Sequence, residues 1–171
     1  MSDFPISQPF ELGRLGQAGV EIVIAPAKED LARIAAWAGV DAVEAFGARI
    51  ELAKITPTRF ALEATVEADI VQSCVVTLDP VRSRIARSFR RDLFLTQAKP
   101  SLDVEVAPVD EDGREEIASL RYDLAVPVLE ELALAIDPYP RAPGVAFEAP
   151  ADPADEPVHP FAALKALKNE G

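Results

Sequence analysis

The feature that most constrains the fold of this chain is a strict alternation of side chains over residues 60–71. One set of positions is apolar: Phe60, Leu62, Ala64, Val66, Ala68 and Ile70. The other set is mainly polar: Ala61, Glu63, Thr65, Glu67, Asp69 and Val71. Because successive side chains of a strand point to opposite faces, this period of two predicts a β-strand with one buried face. A polar second face is typical of an antiparallel sheet that is open to water on one side.

Similar reasoning predicts the remaining elements. Further strands are expected at residues 20–24, 50–55, 81–95 and 102–106, with Thr56-Pro57-Thr58 and Asp79-Pro80 as turns. Helical spacing of apolar residues predicts helices over residues 26–37, ended by Gly39, and 123–136, capped by Asp123. Residues 109–116 are expected to form a charged loop. We expect the arginines of residues 81–95 to lie on the solvent side of their strand.

These elements predict an α+β fold, in which an antiparallel sheet packs with two main helices. The length of 171 residues favours one domain, which we place at residues 1–145. Seven of the 15 prolines lie between Pro138 and Pro160, which predicts a proline-rich tail over residues 146–171 with a short helix over residues 160–168. The pattern leaves open whether the sheet curls into a partial barrel.

The charge of the chain is unevenly distributed. The net charge is −12, which disfavours nucleic acid and favours a basic partner. Residues 103–137 are strongly acidic, and we expect their first part to contact a basic protein through Asp110, Glu111, Asp112, Glu115 and Glu116. Residues 82–91 contain no acid and carry five arginines, which are Arg82, Arg84, Arg87, Arg90 and Arg91.

The arginine-rich strand has two interpretations. Its arginines either form the polar face and protected edge of a strand, or track RNA phosphates without reading sequence. Phe89 and Phe94 are the aromatic residues nearby, which is too few to support base-specific recognition.

The sequence contains little that points to catalysis. The single cysteine, Cys74, and the single histidine, His159, exclude an internal disulfide and metal sites that need several such ligands. Without a nearby base, Cys74 is predicted to be a buried structural thiol. No phosphate-binding glycine loop, nucleophile elbow or calcium-loop pattern is present. We therefore expect no catalytic residues, no metal and no cofactor. The N-terminal residues do not read as a secretory signal and no apolar run is long enough to span a bilayer, so a cytoplasmic protein is expected.

Two segments resemble a known family. The first is Gln72-Ser73-Cys74-Val75-Val76-Thr77-Leu78-Asp79-Pro80-Val81, and the second runs from Leu132 through Asp137-Pro138-Tyr139-Pro140-Arg141 to Gly144. Both are similar to motifs of the YceD-like family, the large ribosomal RNA subunit accumulation proteins, in the form found in its alphaproteobacterial branch. The motif residues are Gln72, Cys74, Thr77, Leu78, Pro80, Asp137, Pro138, Tyr139, Pro140, Arg141 and Gly144.

The resemblance implies a non-enzymatic factor that supports accumulation of large-subunit rRNA, by binding either precursor rRNA or a basic ribosomal protein. Many relatives carry a second cysteine where this chain has Thr77, so a metal site suspected in them is not carried over. Two alternatives remain: a general protein-interaction module unrelated to ribosomes, and an RNA-processing hydrolase, which the absence of a nucleophile–base pair disfavours.

Overall fold

The computed structural model of the protein describes residues 4–96 and 113–145. The strands are β1 (Pro9–Glu11), β2 (Val20–Ile24), β3 (Ala42–Thr56), β4 (Arg59–Ser73), β5 (Pro80–Leu95), β6 (Arg114–Ile117) and β7 (Arg121–Asp123). The helices are α1 (Lys28–Ala38) and α2 (Ala125–Ala135), with a short 3-10 helix at Leu12–Arg14. Helix α1 ends at Gly39, which adopts the left-handed conformation (φ 69°) that glycine tolerates best.

Five strands form the main sheet, in the order β2-β3-β4-β5-β6. The long hairpin of β3 and β4 turns at Thr56 and Arg59, as predicted, and β5 returns antiparallel along the whole of β4. Strand β6 pairs with β5 in parallel, so the sheet is mixed at this edge rather than wholly antiparallel. Strands β1 and β7 form a separate two-stranded sheet. In the described part of the chain the end strands β2 and β6 do not pair, so the sheet is open and not a closed barrel.

The core lies between the two helices and one face of the main sheet. The apolar set of β4 is buried as predicted, and it joins residues of α1 and α2 such as Ile34, Leu129 and Leu132 in one cluster. Helix α1 packs against β3, while α2 packs against β4 and β5. The opposite face of the sheet carries no helix among the described residues and is exposed along most of its length. We call it the open face. The α+β prediction is therefore confirmed.

Several element predictions need correction. Strand β3 begins at Ala42 rather than near Ile50, because its first half alternates small residues whose burial the pattern did not reveal. Residues 114–116, predicted as the end of a loop, belong to β6. Asp123 lies two residues before the first residue of α2 and is not its N-cap, which is Leu124, although its side chain accepts a hydrogen bond from the N–H of Ala125 at 3.0 Å. The predicted strand at residues 102–106 and the tail at residues 146–171 lie outside the described residues.

Candidate partner-binding surfaces

The arginines of β5 do not share one face. In the register with β4, Arg84 lies opposite Asp69 and Arg90 opposite Glu63, which places both on the open face. Arg82 also has an even residue number, so it lies on the open face too. Arg87 and Arg91 have odd residue numbers, which is the other parity along the strand, and lie on the helix side. The expectation that all five arginines line the solvent side is wrong for this reason, since a strand alternates its side chains between faces.

On the open face, each arginine of β5 is paired with a carboxylate from β3 or β4. Arg82 Nε lies 3.2 Å from Glu44 Oε1, Arg84 Nη2 lies 3.0 Å from Glu67 Oε2, and Arg90 Nη1 lies 3.2 Å from Glu63 Oε1. Arg90 also approaches Asp92 at 3.6 Å. The arginine side chains of these pairs remain more than half exposed. Because ion pairs between exposed side chains contribute little to stability, the main effect of these pairs is to neutralise charge.

Carboxylates outnumber arginines on this face. Glu51 lies directly between Glu21 on β2 and Glu63 on β4, so three acidic side chains form one row across adjacent strands. Glu21 bonds to Arg49 and Glu63 to Arg90, but Glu51 has no ion pair among the described residues. Like charges directly opposite one another destabilise a sheet. This acidic row is therefore expected to lower the stability of the chain when no partner is bound.

A shallow groove of about 470 Å³ crosses the open face between Arg49 and Arg84. Small residues of β3, Ala45 and Gly47, form part of its floor, and Glu67 and Asp69 form part of its wall. The small side chains leave room for an extended segment to lie against the sheet. Asp69 has no ion pair among the described residues, although it is opposite Arg84 in the register.

Arg91 belongs to an internal network on the helix side. Its side chain is only 18% exposed, and its guanidinium lies 2.8 Å from Glu130 of α2 and 3.3 Å from Glu115 of β6. Glu131 lies at 3.8 Å, and the hydroxyl of Tyr122 donates to Glu115 at 2.8 Å. These contacts attach α2 and β7 to strands β5 and β6 of the main sheet. Arg91 is therefore occupied within the fold rather than presented to a partner.

The pKa values of Arg91 and Tyr122 are both raised in this network, although burial acts on them in opposite directions. Burial disfavours the charged form of Arg91, but the bonds to Glu130 and Glu115 raise its pKa above the ordinary value. Burial raises the pKa of the Tyr122 phenol, and the charge and hydrogen bond of Glu115 raise it further. The network thus holds a charged guanidinium beside a phenol that keeps its proton.

The aromatic rings near the arginines also have partners. The guanidinium of Arg91 lies 5.6 Å from the centre of the Phe89 ring. Those of Arg59 and Arg114 lie 5.2 Å and 4.6 Å from the centre of the Phe94 ring. Cation–π contacts of this kind occupy the ring faces that a nucleic-acid base would stack on. Arg87 is exposed on the helix side, and no ion pair involves it in the part of the chain that the structure describes.

The structure gives different surroundings to the acidic residues that were predicted to contact a basic partner. Glu115 accepts bonds from Arg91 and Tyr122 and is part of the internal network. Glu116 is exposed and lies 3.7 Å from Arg114. Asp110, Glu111 and Asp112 lie outside the described residues, and their role stays a prediction. The open-face carboxylates were not predicted as a surface, although the alternation of residues 60–71 already placed Glu63, Glu67 and Asp69 on one face.

The two motif segments, far apart in the sequence, meet in the structure. The N–H of Val75 donates to the carbonyl of Pro140 at 2.9 Å, and the side-chain amide of Gln72 donates to the carbonyl of Asp137 at 2.9 Å. The N–H of Ala142 donates to Cys74 Sγ at 3.4 Å. We call the β4–β5 loop, residues 74–79, together with the turn after α2, residues 137–144, the motif corner. Pro140 is buried there, whereas Pro80, Pro138, Arg141 and Gly144 are exposed.

Cys74 is the buried centre of the motif corner, as expected for a structural thiol. The hydroxyl of Thr77 and the backbone N–H groups of Ala142, Thr77 and Val76 lower the pKa of the Cys74 thiol to about 6, against the opposing effect of burial. The hydrogen bond from Ala142 to this sulfur joins the loop to the turn. Within the residues that the structure describes, no group of three metal-ligating side chains is present.

Comparison with known proteins assigns the family. A family model described as "Large ribosomal RNA subunit accumulation protein YceD" matches residues 62–168, which include both segments of the motif corner. The chain belongs to the YceD family. Searches of curated proteins and of solved structures each find no match.

Membership of the YceD family connects the chain with accumulation of large-subunit rRNA. The YceD description names no enzymatic activity and no binding partner. In the described part of the chain, neither helix is long and apolar enough to cross a membrane.

Proposed function

We propose that this YceD-family protein is a non-enzymatic cytoplasmic factor that supports large-subunit rRNA accumulation by holding a basic ribosomal protein on the open face of its sheet. The family supports the link to rRNA. The choice of a protein partner over RNA rests mainly on one observation. Arg82, Arg84 and Arg90 are each paired with a carboxylate, and Arg91 is enclosed in the internal network.

The pairing matters because RNA affinity depends on arginines and lysines that are available to neutralise phosphates. On the open face, a phosphate would have to displace a carboxylate from each arginine and would still meet the remaining acids. A basic protein can instead bind the carboxylates of Glu51 and Asp69, because neither of them has an ion pair among the described residues. Electrostatic complementarity of this kind mainly sets association rate and specificity.

The acidic row supports the same choice. Glu21, Glu51 and Glu63 repel one another across the strands, and a lysine or arginine placed over Glu51 would remove that repulsion. Local arrangements that weaken the isolated fold are expected at functional sites. The groove beside this row offers room for an extended basic segment.

The test compares two double variants that remove the same charge. Glu51→Gln with Asp69→Asn neutralises the open face without freeing any arginine, and Glu11→Gln with Glu29→Gln neutralises exposed acids elsewhere. Binding to the purified proteins of the large ribosomal subunit is measured with the full chain in low and physiological salt. The open-face variant is expected to bind its partner about fivefold more weakly, which is about 1 kcal/mol, and the control variant is expected to match the wild type.

Two results would reject this route. Equal loss in both double variants would mean that only net charge matters. Retention of large-subunit precursor RNA by the purified chain, without any ribosomal protein and with loss on changing Arg82 and Arg84 to Gln, would make RNA the direct partner. The link to rRNA itself is tested separately, by depleting the protein in its own cell and measuring the ratio of large-subunit to small-subunit rRNA, which is expected to fall.

A further inference from the structure

We infer that the motif corner is a docking surface for a short basic protein segment that carries an apolar anchor residue. This inference rests on the proposed function and deepens it, because it names the part of the basic partner that the chain recognises. It concerns a site separate from the acidic row, at the end of the sheet where β4 passes into β5.

The motif corner exposes apolar side chains that the fold does not use. Leu78 is 76% exposed and Tyr139 is 71% exposed, and Val75 and Val76 are exposed to a smaller extent, 46% and 38%. The bond from Val75 to the carbonyl of Pro140 brings the two segments side by side. Single exposed apolar residues are ordinary, but a group gathered from two distant segments marks an interaction site. Tyrosine is also enriched among the residues that dominate binding energy at protein interfaces.

Leu78 is held in a conformation that leucine rarely adopts. Its φ is 63°, in the left-handed region, and it is the one residue other than glycine with positive φ in the described part of the chain. The loop is closed by two backbone bonds, from Leu78 N–H to the carbonyl of Cys74 at 2.9 Å and from Cys74 N–H to the carbonyl of Asp79 at 2.8 Å. Glycine would make both bonds without strain.

The leucine side chain is therefore not needed to form the loop. It is mostly in water, and its backbone conformation is unfavourable for it. Strained residues of this kind concentrate at binding sites, where the surrounding structure holds them in place. Here the strain presents an apolar side chain to solvent at the tip of a closed loop, where a partner would bury it.

The charges around the motif corner determine which partner fits. Asp79 follows Leu78 directly, Asp137 begins the turn after α2, and Asp41 accepts a hydrogen bond from Ser73 beside the loop at 2.8 Å. Arg141 is the opposing charge in the turn. An apolar centre with an excess of carboxylates at its rim complements a segment in which lysines or arginines flank a leucine or an aromatic residue.

The experiment uses the full chain and two synthetic twelve-residue peptides of equal positive charge. One peptide places leucine and phenylalanine between its lysines, and the other has serine at those positions. Binding is measured by fluorescence anisotropy of the labelled peptides. The wild type is expected to prefer the apolar basic peptide by about tenfold, which is about 1.4 kcal/mol.

Leu78→Gly and Tyr139→Ser are expected to abolish this preference. Leu78→Gly is expected to do so with an unchanged or higher melting temperature, so a loss of binding cannot be attributed to unfolding. The matched control is Ile55→Ser, which changes an apolar residue that is 51% exposed near the end of β3, at the β3–β4 turn and away from the motif corner. It is expected to leave the preference intact.

The outcomes separate this inference from the proposed function. If both peptides bind equally, and Glu51→Gln with Asp69→Asn weakens both, the motif corner is not an anchor and the open face stands. If Leu78→Gly removes the preference while the open-face variant has no effect, the motif corner is supported as the binding site and the open face is rejected. Binding of neither peptide overturns both. Binding of a large-subunit rRNA fragment that Leu78→Gly abolishes would replace the peptide by RNA as the occupant.

Discussion

The two faces of β5 use the same residue type in opposite ways. On the open face, Arg82 is well exposed in water and makes one ion pair with Glu44. On the helix side, Arg91 is nearly enclosed and faces three carboxylates from two elements. The two arginines lie in one strand but differ in parity and in position along the strand. Arg87, which shares the parity of Arg91, is exposed because it lies away from the carboxylates of α2 and β6. In such a strand, an arginine's position relative to the core decides whether it stabilises the fold or remains available at the surface.

The strongest test of this comparison replaces one arginine by methionine on each face of β5. Arg91→Met leaves Glu115, Glu130 and Glu131 without their shared counter-charge in a partly buried site, and is expected to lower the free energy of unfolding by about 2 kcal/mol after allowance for solvent screening. Arg82→Met is expected to cost less than about 0.5 kcal/mol. Urea denaturation measures both. Equal losses would show that parity does not separate the two roles.

A smaller effect, dependent on pH, is expected at Tyr122. Tyr122→Phe removes the hydrogen bond to Glu115, which is expected to cost about 1 kcal/mol near neutral pH. The pKa of Tyr122 is raised in the folded protein, so above pH about 10 the unfolded chain loses this proton while the folded chain keeps it.

The stability that the wild type owes to Tyr122 is therefore present below pH about 10 and falls as the pH rises further. The difference between wild type and Tyr122→Phe should shrink between pH 10 and about 11 in urea titrations. A difference that stays constant over this range would place the phenol in a solvent-like environment, and the contrast between the faces would weaken.

The smallest effect is expected on the open face, and it has the opposite sign. Glu51→Gln removes like-charge repulsion from Glu21 and Glu63, and is expected to raise the free energy of unfolding by about 0.2–0.5 kcal/mol at low salt. Glu11→Gln serves as the control, with no expected change. Because the charges are exposed, the gain should disappear as salt is added. A loss of stability in Glu51→Gln would mean that the row is favourable and would remove one support of the proposed partner.

Much of the fold follows from local patterns in the sequence. The alternation of residues 60–71 predicts β4 and its buried face, and Gly39 predicts the end of α1, because both depend on the geometry of neighbouring residues. The parallel pairing of β6 with β5 depends on a connection whose path local patterns do not encode. Strands β1 and β7 are three residues each and find one another across the whole domain, so no period of two could reveal them.

The sites were predictable to different degrees. The sequence identified the arginines of β5 and the motif residues, but not their surroundings. Parity alone would have separated Arg91 from Arg90. The carboxylates that neutralise Arg82 and Arg84 depend on the register of β3 and β4, which includes a bulge between Val43 and Ala45 that places Glu44 within reach. Registers and bulges are set by long-range pairing and are not readable from a single strand.

The motif corner also has a consequence for the order of folding. The bond between Ala142 and Cys74 joins residues 68 positions apart, and that from Gln72 to Asp137 joins residues 65 positions apart. Contacts with such separation form only after a large loop has closed, later than the β4–β5 hairpin beside them. During synthesis, the loop that bears Leu78 therefore exists before its other half, and a partner that needs both halves recognises only a chain completed through residue 142. The hydrogen bond from Ala142 to Cys74 therefore cannot form before residue 142 has been synthesised.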